Sequence, residues 1–250
     1  MKYTKITFKI KDTKKPHFFI GSKIRGTLGY ALKDEVCINP TFKCNGCFAQ
    51  HQCIFYDMYE KQNNTHKYRF DFDLYNNNYK FSLFLFEDHM AYQETLTKAI
   101  LETLKEHKVV KHKIKQKKFK QKEKYSKIIK LNFITPVRIK KQNKFLLDDI
   151  GLNDILYSIH RRDLELRNQP FKRIAFNQDI KVVSKNIRYQ EITRKSNKQN
   201  TKMNLGGLMG EIVLSNVDKQ TYNLLKLGEI ISIGKQTVFG LGKIKIEDIK

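Results

Sequence analysis

The order of hydrophobic periods along this chain runs through one cycle twice, and that repetition limits the fold more than any single motif. Tyr3–Lys11 sets Tyr3, Ile6, Phe8 and Ile10 against Lys and Thr, the pattern of a half-buried strand. From Gly21 the period changes: Ile24, Leu28, Ala31 and Leu32 fall on one helical face, with Ser22 placed to cap its start. Tyr68–Leu74 and Tyr79–Glu87 read as two strands joined by an Asn turn at Asn76–Asn78. Tyr92–His107 is a second amphipathic helix through Leu96, Ile100, Leu101 and Leu104, and a last strand lies near Val109–Ile114. The cycle then restarts. Ile128–Lys140 is a strand stopped or bulged at Pro136, Leu152–Leu166 a helix, Ile174–Gln190 and Leu208–Val213 strands. Thr221–Ile231 is the last helix and Lys243–Ile246 the last strand.

Strand, helix, strand, strand, helix, strand is the ferredoxin-like order, shared by RNA-binding RRM sheets. The expected fold class is therefore α+β, with two tandem ferredoxin-like (RRM-like, βαββαβ) domains over residues 1–125 and 126–250. Between them, Lys105–Lys130 carries twelve lysines against Glu106 and Glu123. That segment reads either as a solvated linker or as a basic arm or strand pair that tracks nucleic acid.

Charge narrows the partners. The chain has 49 Lys and Arg against 25 Asp and Glu, a net charge of +24, which predicts a polyanion, and nucleic acid before a membrane surface. Hydrophobic residues make up 40% and aromatic residues 12%, enough to bury a core. No apolar run reaches 18 residues and the N-terminus has no hydrophobic signal core, so a cytoplasmic protein without a membrane span is expected.

All four cysteines, Cys37, Cys44, Cys47 and Cys53, fall within seventeen residues, and Cys44-Asn45-Gly46-Cys47 has a glycine where a knuckle must turn. In a reducing compartment this spacing favours a closed structural Zn²⁺ site inserted in the first domain at 37–53; an iron–sulfur cluster and an unmetallated loop are the alternatives. His51 is a possible substitute ligand. Near the C-terminus, Gly234, Gly240 and Gly242 break a loop bracketed by Lys235 and Lys243, with Phe239 inside it. On residues alone this is either a glycine turn into an edge strand or a set of exposed amides and cations for an anionic polymer.

Three passages carry a family resemblance: GSKIRGTLGYALKDEVC with the cysteine cluster, LNFITPVRIKK with the following helix and its paired arginines, and YQEITRKSNKQNTKMNLGGLMGEIVLSNVD continuing into LLKLGEIISIGKQTVFGLGKIKI. Together they span nearly the whole chain. They resemble the CRISPR-associated endoribonucleases that cut precursor CRISPR RNA, within the repeat-associated mysterious protein (RAMP) superfamily, whose hallmark is a glycine-rich loop before the final strand. The resemblance implies tandem ferredoxin-like domains gripping repeat RNA, and cleavage without a catalytic metal. The 2′-hydroxyl attacks the adjacent phosphate, leaving a 2′,3′-cyclic phosphate and a 5′-hydroxyl. It also implies product handover to a CRISPR effector complex and leaves a monomer or homodimer open. A non-catalytic RNA-binding subunit is the alternative within the same superfamily.

Such chemistry needs a base, an acid and a cation beside the phosphate. The family places its acid–base group on or beside the first helix. Here that position offers His17, just ahead of the helix, and Tyr30 where relatives often carry histidine, a departure that puts a histidine pair in doubt. His160 is the second-domain candidate, next to Arg161 and Arg162. Lys23, Arg25, Arg161 and Arg162, with Gly234, Lys235, Gly240, Gly242 and Lys243, are the expected RNA contacts. His66, His89, His107 and His112 read as ordinary surface or core residues.

Overall fold

A computed structural model describes residues 1–11, 19–63, 65–74, 79–196 and 201–249. The chain divides into two units, Met1–Lys118 and Phe119–Lys250. Unit 1 contains β1 (Lys2–Lys11), α1 (Gly21–Val36), β2 (Tyr68–Asp71), β3 (Tyr79–Phe86), α2 (Gln93–Thr103) and β4 (Lys108–Lys118). Its antiparallel sheet has the order β2-β3-β1-β4. Ile6 and Phe8 of β1 pair with Leu83 and Phe81 of β3, and Leu83 pairs in turn with Phe70 of β2, so one sheet face is continuously apolar. Leu28 and Leu32 of α1 and Leu96 and Ile100 of α2 are buried as well and cover that face. Such burial contributes roughly 1.5–3 kcal/mol per large side chain, so the i, i+4 spacing of these leucines decides which face of each helix turns inward.

Unit 2 repeats the plan. It contains β5 (Ile129–Val137), a small hairpin of β6 (Lys140–Lys141) and β7 (Lys144–Phe145), α3 (Leu152–Leu166) and β8 (Lys181–Gln190). A second hairpin, β9 (Thr193–Ser196) and β10 (Thr201–Asn204), precedes β11 (Gly207–Ser215), α4 (Lys219–Ile231) and β12 (Ile244–Asp248). The main sheet runs β12-β5-β11-β8, the unit 1 order with each strand in the corresponding role. Asp218 caps α4, its side chain accepting from Thr221 N–H at 2.7 Å. The α+β class and the tandem ferredoxin-like order are thus as the periodicity requires.

Several boundaries differ for physical reasons. The basic segment is not mainly linker: residues 108–118 form β4, which pairs along β1 from Lys118 opposite Lys2 to Lys108 opposite Lys11. The second helix ends at Thr103, short of His107, because Leu104, Lys105 and His107 N–H turn back onto carbonyls three residues earlier and β4 begins at Lys108; a 3-10 turn over Glu87–Tyr92 precedes it. Strand β2 stops at Asp71. Strand β8 starts at Lys181, not Ile174: Phe176 packs edge-on to Tyr157 at 4.8 Å and the Tyr157 hydroxyl donates to the Ile174 carbonyl at 2.9 Å. Those apolar residues cover α3 instead of joining the sheet. The Asn76–Asn78 turn lies outside the described residues. No described helix is long and apolar enough to cross a membrane.

Candidate functional site

The first helix shows what each expected residue is free to do. Lys23 is exposed on α1, whereas Arg25 is half-buried and used internally. Its Nε donates to the Tyr68 hydroxyl at 3.0 Å, its Nη2 to the Met58 carbonyl at 3.3 Å, and its guanidinium lies 4.5 Å from the Tyr59 ring centre. Arg25 therefore ties α1 to β2 and to the π-helical turn Tyr56–Glu60. Tyr30, at 72% exposure, lines an open hollow with Asp34 and Glu35 of α1 and Glu102 and Lys105 beyond α2's midpoint. Lys98 and Lys105 hold Glu35 and Glu102 at 2.7 Å each, so the hollow has no lysine to spare for phosphate and a slight acidic excess. His17 lies outside the described residues.

The second-unit candidate sits differently. His160 projects from the middle of α3, and one ring nitrogen, Nε2, lies 2.6 Å from the Lys172 carbonyl. A carbonyl only accepts, so Nε2 carries the proton and Nδ1 is left as the acceptor in the neutral ring. Phe171 lies 6.0 Å away, ring centre to ring centre, and is 58% exposed; Lys172 and Arg173 follow it on the surface. Arg161 is exposed and holds Glu165 at 2.8 Å, a pairing that costs little to break at a surface. Arg162 instead donates from Nε to the Ile231 carbonyl at 2.8 Å, fastening α3 to the end of α4. An imidazole acceptor, an aromatic ring and several cations thus gather on one side of unit 2.

The glycine loop is internally bonded, which corrects the expectation that it offers consecutive free amides. Gly234 N–H donates to Ser158 Oγ at 2.8 Å, Lys235 N–H to Arg138 O at 2.8 Å, Gly240 N–H to Thr237 O at 2.9 Å and Gly242 N–H to Pro136 O at 2.9 Å. Lys243 N–H donates to Thr135 Oγ1 at 2.9 Å. Gly242 has φ +72° and a Cβ there would stand 1.9 Å from the Ile233 carbonyl oxygen, so only glycine fits. Phe239, Gly240 and Leu241 are buried. What the loop presents outward is the side chain of Lys235.

The cysteines come together in one place. Cys37 ends α1, with its N–H on Lys33 O at 2.9 Å; Cys44 and Cys47 flank the expected tight turn, Cys47 N–H donating to Cys44 O at 3.3 Å with Gly46 at φ +69°. Cys53 closes a 3-10 turn. All four thiols are free and line a single cavity of about 220 Å³. Burial pushes the Cys44 thiol up, and Glu60, Cys53 and Cys37 push the same way against Lys33. Four thiols are the donor type a structural Zn²⁺ takes. As placed, no group of three or more Cys, His, Asp or Glu among the described residues stands close enough to hold an ion. His51 is exposed and does not line the cavity, so it is no substitute ligand.

One pairing was invisible in the sequence. His89 is buried, with Nε2 2.8 Å from Asp57 Oδ2, and Lys61 also reaches Asp57 at 3.2 Å. Burial holds the His89 imidazole below its ordinary value, outweighing Asp57. Burial alone would raise the Asp57 carboxyl, yet hydrogen bonds from Lys61 and His89 bring it lower. The pair pins the turn after the cysteines to the 3-10 turn that precedes α2. Nothing in the local text near either residue marks a partner thirty-two positions away.

Residues 131–244 match the family model of the CRISPR-associated endoribonuclease Cas6, and residues 1–130 match a second model described as an N-terminal domain. Among solved structures, a Cas6 product complex is similar over 99% of this chain and 99% of its own, at 13% identity and a TM-score of 0.65. Thermus thermophilus Cas6 is similar over 98% of both chains, at 12% identity and a TM-score of 0.60. A second Cas6 product complex is similar over 99% of this chain and all of its own, at 14% identity and a TM-score of 0.58. At such identities these likenesses speak for the fold. No curated protein matches the sequence.

Proposed function

We propose that the chain is a CRISPR-associated endoribonuclease, the family whose model matches residues 131–244, and that it cuts precursor CRISPR RNA within its repeats to give mature guide RNAs. The observation that carries this reading is the family match across unit 2, from Leu131 to Ile244, which takes in α3, its His160 and the whole glycine loop. Chains of the same fold that hold cleavage product support it. The net charge of +24 is the matching requirement for a polyanionic substrate.

The chemistry in this reading is metal-independent. The substrate's 2′-hydroxyl loses its proton to a protein base and attacks the neighbouring phosphorus; the P–O5′ bond breaks, and the 5′-oxygen takes a proton from a protein acid. The products are a 2′,3′-cyclic phosphate and a 5′-hydroxyl. His160 is the stronger acid–base group of the two candidates described: an imidazole can both accept and donate a proton, and Nδ1 is an available acceptor. Tyr30 and His17 remain the unit 1 candidates. Lys172, Arg161 and Lys235 are the exposed cations for the phosphate, while Arg162 and the loop glycines hold unit 2 together. Cys37, Cys44, Cys47 and Cys53 would hold a structural Zn²⁺, which supplies folding energy and no step of the reaction. The product then passes to a CRISPR effector complex.

A non-catalytic RNA-binding subunit is favoured by one observation, the tyrosine on α1 in its acidic hollow. Incubation of the purified chain with repeat-containing RNA in EDTA separates the two. Discrete products with cyclic-phosphate ends support the endoribonuclease; tight binding without cutting supports the subunit.

A further inference from the structure

The register of unit 1 gives the basic segment a common face, apart from the candidate catalytic residues. In β1, Thr4, Ile6, Phe8 and Ile10 face the helices, so Tyr3, Lys5, Thr7, Lys9 and Lys11 lie on the helix-free face. Their cross-strand partners on β4 are Lys117, Lys115, Lys113, Lys111 and Lys108. Lys111, Lys113, Lys115 and Lys117 are all exposed, as are Lys9, Lys11 and, on β3, Lys80. None of these has an ion-pair partner among the described residues. Alternate residues on a strand are about 6.8 Å apart, so the β4 row presents an ammonium at that repeat for about 20 Å.

The same face has no stacking platform to offer. Among the described residues, its aromatic side chains on β1 and β3, Tyr3, Phe84 and Phe86, are only 8%, 5% and 0% exposed. The Phe84 ring carries the Arg69 guanidinium at 4.1 Å and the Lys5 ammonium at 4.9 Å, and both cations are paired with Asp71. An RRM reads bases by stacking them on exposed sheet aromatics. Here those rings are covered and what remains is evenly spaced point charge, which contacts phosphate and carries no sequence information.

We propose that β4, with Lys9 of β1, is a phosphate track that binds single-stranded RNA along the strand axis, independently of sequence. A straight row matches the successive phosphates of an extended strand, whereas either backbone of a duplex curves away from it. The inference rests on the RNA-processing reading and adds a binding surface to it.

The test compares two triple variants that remove equal charge. Lys113→Gln/Lys115→Gln/Lys117→Gln removes the track; Lys61→Gln/Lys98→Gln/Lys105→Gln removes three exposed lysines elsewhere in unit 1, each engaged with a neighbouring carboxylate. Binding of labelled oligouridylate, and of a duplex RNA of equal length, is followed against salt for both and for the parent. Each lost phosphate contact on a single strand should flatten the log K against log salt slope by about 0.7, so the track variant should lose about 2 and the other variant nearly nothing. Equal slopes in the two variants overturn the track. Loss confined to the duplex overturns the single-strand assignment. A parent that binds no RNA overturns both the track and the reading beneath it, whereas a parent that binds through the track but never cuts repeat RNA overturns the endoribonuclease alone.

Discussion

On the helix-free face of unit 1, Lys9, Lys80, Lys111, Lys113, Lys115 and Lys117 stand exposed, while the Asp71 carboxylate is already taken by Arg69 and Lys5. On the corresponding face of unit 2, Lys130 lies 3.5 Å from Glu211 and Lys245 3.0 Å from Glu247, with Asn132 and Asn186 paired to Glu211 between them. Such surface pairs contribute only about 0–1 kcal/mol each to stability, so their consequence is a face with little net charge. One strand order therefore carries two electrostatic roles. Unit 1 concentrates charge on its sheet; unit 2 concentrates it near His160 on α3, together with a closely bonded glycine loop. Topology alone does not tell which surface meets RNA.

The comparison breaks most visibly at the loop. Gly242→Val forces a Cβ into the Ile233 carbonyl at a backbone angle valine avoids, and the cost should exceed about 4 kcal/mol. Loss of soluble, cooperatively melting unit 2 is the expected result. A variant that melts like the parent while losing RNA would return the loop to a direct contact surface.

Next in size is catalysis. His160→Ala should slow single-turnover cleavage by about 100–10,000-fold, the usual effect of losing one acid or base, with affinity changed far less. If Tyr30→Phe or His17→Ala gives the larger loss, the chemistry belongs to unit 1 and the charge comparison assigns the wrong unit.

The cysteine loop predicts a smaller, purely structural effect. Purified chain should carry close to one zinc, and Cys44→Ser should lower the melting temperature of unit 1 without altering the salt slope. Metal-free protein that melts identically before and after the substitution contradicts the site.

The smallest effect is on pH. His89 has a folded value below its unfolded value of about 6.5, so the unfolded state binds more protons between the two. Stability is then full above the unfolded value and falls as pH drops through that window. The parent should therefore lose stability between neutral and mildly acid pH. His89→Gln, which keeps a donor for Asp57, should flatten the loss, and an unchanged profile would remove His89 as its cause.

How far the sequence carried these assignments depends on the range of the interactions. Leu28, Leu32, Leu96 and Ile100 announce their helices because amphipathic spacing is local. The period-two lysines of His112–Lys118 were visible too, yet read equally well as linker, because only pairing with β1 gives them a common face. Arg25 looked like a phosphate ligand until Tyr68, Met58 and Tyr59 came round it from residues more than thirty positions away. The glycines marked the loop correctly, but their spacing does not say whether its amides turn inward, and they do.

The central claim, RNA cleavage by 2′-hydroxyl attack, is tested most directly by one substituted substrate. Deoxyribose placed at the single nucleotide before the scissile phosphate removes the nucleophile and little else. The account predicts that this RNA binds as tightly as the all-ribose repeat and is not cut in EDTA. Cleavage at the unmodified rate would contradict it.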